Sequence, residues 1–122
     1  MPLMQTIRSL SRILTQDVAG RYVQDHCPAT AEVLPAIAQA VGSKMTILVD
    51  GGIRTGIDVF KALALGAHGV LIGRNFVNMI YGGGAEGVQV YVDKLKAELE
   101  DTMAMCGAHS LSEITSDMVS QF

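Results

Sequence analysis

Apolar and polar positions in the middle of this chain fall into short blocks whose period changes twice. Met45-Thr46-Ile47-Leu48-Val49 is β-branched and nearly all apolar, which predicts a parallel strand covered on both faces. From Gly56 to about Leu65 the period becomes helical, with Val59, Phe60, Leu63 and Ala67 on one face and Gly66 near the stop. Thr55 with Asp58 three residues later reads as an N-cap and its capping-box partner. Gly69-Val70-Leu71-Ile72 then predicts a second buried strand, so strand, helix and strand make one right-handed βαβ unit.

The flanks read as helices. One begins near Thr30, and another runs from Asn75 to Ile80. Gly82-Gly83-Gly84 then reads as a hinge before a long helix from about Ala85 to Cys106. Its apolar stripe is Val88, Tyr91, Val92, Leu95, Leu99 and Met103, opposed by a charged side that includes Lys94, Lys96, Glu98 and Glu100. Met103 and Met105 are expected in a core or interface. At the start, Ile7, Leu10, Ile13 and Leu14 recur at helical spacing, which predicts one amphipathic helix between Met1 and Val18.

Composition removes several function classes. Nine basic and 12 acidic residues are interspersed along 122 residues, giving a formal charge of −3, with no basic stripe or aromatic platform for nucleic acid. No apolar run is long enough to span a bilayer, so the expectation is a soluble cytoplasmic protein without a membrane partner. Cys27 and Cys106 have no CxxC pattern and are expected as buried or half-buried thiols. His26, His68 and His109 stand singly, without metal-ligand spacing, so no metal is expected. His68 precedes the second strand, which places it at the opposite end of the sheet from the C-terminal strand ends.

Those strand ends carry the chemistry. The first closes in Asp50-Gly51-Gly52-Ile53-Arg54 and the second in Gly73-Arg74 just before a helix. Gly51 and Gly52 let a bulky anion approach backbone N–H groups, and each arginine offers a permanently charged donor fork. Asp50 suits a ligand hydroxyl or the orientation of an arginine. Parallel strands bring both endings to one edge of the sheet, where N–H groups, a helix N-terminus and two guanidiniums can converge on one phosphate. In (β/α)8 barrels the common phosphate site has these parts in this order.

At these residues the chain resembles the FMN-dependent 2-hydroxy-acid dehydrogenases and oxidases, the glycolate oxidase and lactate oxidase group. The matching text is ATAEVLPAIA at 29–38, ILVDGGIRTGIDVFKALALGA at 47–67, GVLIGR at 69–74 and LKAELEDTMAMCGAHSLSEIT at 95–115. Inosine-monophosphate dehydrogenase and type 2 isopentenyl-diphosphate isomerase use similar strand endings, but the C-terminal text LEDTMAMCGAHSLSEIT resembles the hydroxy-acid enzymes more closely. The resemblance implies an α/β fold, the C-terminal βαβα portion of a (β/α)8 TIM barrel, incomplete in this chain because a whole barrel takes about 250 residues. It divides the chain into a divergent, helical segment 1–24, the barrel portion 25–115 and a tail 116–122.

FMN is the implied cofactor, with Asp50, Gly51, Gly52, Arg54, Gly73 and Arg74 at its ribityl-phosphate. The family carries an S-N-H-G-G-R-like segment whose histidine is the base and whose arginine holds the substrate carboxylate. Here Gly20-Arg21 match its end, so Arg21 is the implied substrate-carboxylate clamp, while the histidine position falls on Val18 or Ala19. Neither can accept a proton, and no catalytic residue is assigned. Two expectations follow: an FMN-dependent oxidoreductase represented by its phosphate-binding end, or an inactive truncated relative acting as a phosphate-binding, interaction or oligomerisation module. A 2-hydroxy acid would be the substrate of a completed site, and a second copy or a complementing N-terminal fragment would complete it.

Overall fold

Three parallel strands, three α-helices and two short 3-10 helices make up the described part of the chain. The computed structural model describes residues 13–16 and 28–120. Val18, Ala19, Arg21, His26 and Cys27 lie outside the described residues, as does most of the expected first helix.

Ile13–Gln16 is β1, Thr30–Val41 α1, Thr46–Asp50 β2, Gly56–Ala64 α2, Gly69–Leu71 β3 and Arg74–Cys106 α3. The sheet order is β1-β2-β3, with Ile13 opposite Thr46 on one side of β2 and Leu48 opposite Gly69 on the other. The strand at Ile13–Gln16 corrects the expected helix at those four residues. Helical spacing of Ile13 and Leu14 is a local signal, and pairing with Thr46 to Val49 of β2 supplies a non-local ladder that outweighs it.

Ile47 and Val49 point to the helices and are buried, whereas Thr46, Leu48 and Asp50 alternate with them and are half-buried or exposed. The strand was expected to be covered on both faces. Among the described residues only one face is covered, because α1 and α2 pack on the Ile47 side alone.

Two apolar clusters hold these layers together. Leu34, Ile47, Val49, Ala62 and Ala67 join α1, the sheet and α2, while Phe60, Ala64, Ala108 and Ile114 join α2 to α3 and the segment after it. Leu34, Ile47 and Phe60 are the largest side chains fully removed from water, each worth about 1.5–3 kcal/mol of transfer free energy. Helix α2 is therefore buried on two sides, with Ala62 facing one cluster and Phe60 and Ala64 the other.

Helix α3 is interrupted where the glycine run predicted a hinge. Gly84 has φ 57° and ψ −140°, a conformation other residues reach only with strain, and the axis kinks there. Beyond the kink Tyr91, Leu99 and Met103 turn inward, but Met105 is 89% exposed. Cys106 is exposed as well, contrary to the expected buried thiol. The chain turns at Gly107, which takes a left-handed conformation at φ 79°, and Ala108 joins the second cluster.

Candidate functional site: the shared edge of strands β2 and β3

Register brings the two glycine-arginine endings to the same edge. The ladder between β2 and β3 runs parallel and ends at Asp50 opposite Leu71, so both chains leave the sheet side by side. Gly51 at φ 103° and Gly52 at φ 78° then turn the first ending, a pair of left-handed conformations that explains two adjacent glycines. A Cβ at Gly52 or Gly73 would meet nothing within 4 Å, leaving the backbone at both endings open to a bulky group. Arg54 and Arg74 are exposed, and neither makes an ion pair among the described residues.

The two helix starts at this edge differ. At α2 the capping box forms as the sequence predicted: Asp58 N–H donates to Thr55 Oγ1 at 3.2 Å, and Thr55 N–H donates to Asp58 Oδ2 at 3.0 Å. Asp58 Oδ2 also accepts from Arg54 N–H at 3.1 Å and from Thr55 Oγ1 at 3.0 Å. The first helical N–H, that of Gly56, donates to Glu98 Oε2 of α3 at 2.7 Å. Two carboxylates of the chain thus occupy the positive end of α2, and this helix offers little to an external anion.

The start of α3 remains available. Gly73 caps it with backbone only: Phe76 and Val77 N–H donate to Gly73 C=O at 3.0 and 3.3 Å, and no side chain caps the helix. The N–H groups of Arg74 and Asn75 have no acceptor among the described residues. An anion here would meet open backbone donors, the positive end of α3 and the Arg74 side chain.

A buried tyrosine ties the endings together. Tyr91, 4% exposed, donates its hydroxyl proton to Arg54 C=O at 2.7 Å and accepts from Asn75 Nδ2 at 3.0 Å. Its ring meets Phe76 edge-on, with centroids 5.1 Å apart. Sequence reasoning placed Tyr91 and Glu98 on helix faces but gave neither a role at this edge. The available signal was a phenol in an apolar stripe, which needs a partner for its hydroxyl once buried.

Other candidates lie elsewhere. His68 precedes β3, at the opposite end of the strand from Arg74, where Ile47 N–H donates to the imidazole Nδ1 at 3.0 Å and the backbone N–H of His68 donates to Ile47 C=O at 2.8 Å. The imidazole thereby extends the sheet, a structural role. A recess of about 260 Å³ beside Gly51 and Gly52 is lined by Thr30, Leu34, Val49 and Lys61 and includes neither arginine. No group of His, Cys, Asp and Glu residues suited to a metal occurs among the described residues, and no helix described is long and apolar enough to cross a membrane. The arrangement suits anion binding through backbone donors and arginines.

Residues 18–121 match the family model for FMN-dependent dehydrogenases. The chain is 44% identical over 107 residues to peroxisomal (S)-2-hydroxyacid oxidase GLO3 of Arabidopsis thaliana, covering 88% of this chain and 29% of that protein. It is 46% identical over 105 residues to L-lactate dehydrogenase of Azorhizobium caulinodans, covering 86% and 27%. A flavocytochrome b2 variant with pyruvate bound superposes with a TM-score of 0.73 at 36% identity, over 78% of this chain and 25% of that one. A mandelate oxidase variant with an FMN adduct gives 0.70 at 39% identity, over 73% and 28%. The chain thus spans less than a third of the length of these relatives.

Proposed function

The chain belongs to the FMN-dependent dehydrogenase family, and from that premise we propose that it forms the FMN-phosphate end of a 2-hydroxy-acid oxidoreductase. The observation that carries the proposal is the parallel register ending at Asp50 and Leu71, which sends both glycine-arginine endings out at one edge. Gly51, Gly52, Gly73 and Arg74 would offer backbone donors to the phosphate, Arg54 and Arg74 their guanidiniums, and Asp50 a carboxylate to a ribityl hydroxyl. The fit rests on the open space at Gly52 and Gly73 and on the uncapped start of α3. FMN when bound supplies the acceptor for the electrons taken from the hydroxyl-bearing carbon of the acid.

In this reading the fold is the C-terminal portion of a (β/α)8 barrel. The half-exposed face of β2 bearing Leu48 and Asp50 supports it, since in a closed barrel that face turns inward. Arg21 would clamp the substrate carboxylate. Val18 or Ala19 stands where the family's proton-accepting histidine is expected, so the chain by itself would hold the cofactor without turnover. Contacts to the flavin ring would come from elsewhere in a complete barrel, from a second copy or from a complementing fragment. Losing about 3–4 kcal/mol of such contacts weakens binding on the order of 100- to 1000-fold. A cytoplasmic location belongs to the same proposal and rests on the balanced charge.

Fluorescence titration of the purified chain with FMN and with riboflavin tests the phosphate assignment. Saturable quenching by FMN, weak or absent with riboflavin and reversed by inorganic phosphate, is expected. Equal behaviour of the two flavins would remove it. Bleaching of the bound flavin on adding L-lactate would remove the reading without turnover.

A further inference from the structure

We propose that Tyr91 is a positioning residue for the phosphate grip, holding the Arg54 loop at a fixed separation from the first turn of α3. The inference rests on the phosphate reading above and deepens it.

Beyond the last ladder pair, Asp50 and Leu71, the two chains have no backbone hydrogen bond to each other among the described residues. Arg54 and Asn75 each lie four residues past that pair, and the Tyr91 oxygen joins them, 2.7 Å from Arg54 C=O and 3.0 Å from Asn75 Nδ2. A phenol is suited to this because one oxygen both donates and accepts. Donation to the Arg54 carbonyl leaves the oxygen able to accept, which fixes the Asn75 amide with its nitrogen inward. Phenylalanine would fill the same space and make neither bond.

The placement of the ring makes the tie rigid. Tyr91 is buried and edge-on to Phe76, itself in the first turns of α3, so the phenol has little freedom to follow a wandering loop. It also stands beyond the Gly84 kink, so the far part of α3 reaches back to the start of the same helix. Without the bridge, the Arg54 backbone is held to α2 through Asp58 but has no direct hydrogen bond to the α3 start among the described residues. With the bridge, the Arg54 backbone and the α3 start form one frame, and an anion held between them loses less in ordering it.

Tyr91→Phe is the test, read by three titrations of the same preparation: FMN, riboflavin and inorganic phosphate, the last followed through the Gly73 and Arg74 amide resonances. Binding of FMN and phosphate is expected to weaken about tenfold, with riboflavin unchanged. A merely structural role would weaken both flavins alike or neither. Asn75→Ala removes one arm without touching the buried ring and is expected to weaken phosphate in the same direction, so the question stays decidable if Tyr91→Phe folds poorly. Wild-type phosphate affinity in folded Tyr91→Phe overturns the positioning role alone. A wild-type chain that binds neither FMN nor phosphate overturns the grip and the positioning role together.

Discussion

The carboxylate of Glu98 accepts a 2.7 Å hydrogen bond from the backbone N–H of Gly56, 42 residues earlier in the chain. A Cβ at Gly56 would lie 2.4 Å from Leu95 C=O and 2.5 Å from Leu99 N, so α3 rests directly on the backbone of α2 at this point. Glu98 satisfies a donor that close packing removes from water, and it places negative charge at a helix start. Its ion pair with the largely exposed Lys94 at 3.4 Å adds little. Glu98→Ala is expected to lower stability by about 2 kcal/mol and Glu98→Gln by about half as much, since the amide still accepts. Urea unfolding measures both, and an unchanged midpoint in the alanine variant would contradict the role.

Arg54 and Arg74 are exposed, so their loss should spare the fold and strike the anion. Each alanine variant is expected to weaken FMN about tenfold or more, with little change for riboflavin. The phosphate difference between the two flavins isolates the effect. FMN affinity unaltered in both variants would refute the assignment.

His68 supplies an acceptor to a backbone group that has none other among the described residues, the N–H of fully buried Ile47. His68→Phe retains a ring but leaves that N–H unpaired, and a loss of about 1–3 kcal/mol is expected. The amide of Ile47 should also exchange its hydrogen faster in the variant. FMN binding by the folded fraction should not change, because His68 sits at the far end of the strand.

Neighbouring glycines in the kink provide an internal control. Gly84 occupies φ 57°, ψ −140°, whereas Gly83 has no positive φ, and a Cβ at either would meet nothing within 4 Å. Gly84→Ala is therefore expected to destabilise by about 1–3 kcal/mol through backbone strain alone. Gly83→Ala should be neutral or stabilising by up to about 1 kcal/mol. Thermal unfolding that ranks the two in the opposite order would mean that the kink belongs elsewhere.

Features encoded within a few residues were legible in the sequence. The Thr55–Asp58 capping box, the glycine-arginine endings and the interruption at Gly84 each depend on residues near one another, so residue type and spacing suffice. Features that depend on distant partners were not. Ile13–Gln16 carries a helical apolar period and becomes a strand only because β2 lies beside it. Filling of the α2 start by Glu98 and the bridge from Tyr91 to Arg54 span 42 and 37 residues, and nothing in the spacing announces either. Exposure of Cys106 likewise goes with the turn at Gly107, after which Ala108 joins the second cluster.

Helix α2 is shared property: Ala62 belongs to the cluster under the sheet, and Phe60 and Ala64 to the cluster under the C-terminal segment. The two clusters are consequently coupled in unfolding, because neither can come apart without displacing the helix that completes the other. A loosening that begins at Ile114 therefore also displaces α2 from the cluster that holds Val49, next to the Asp50 turn.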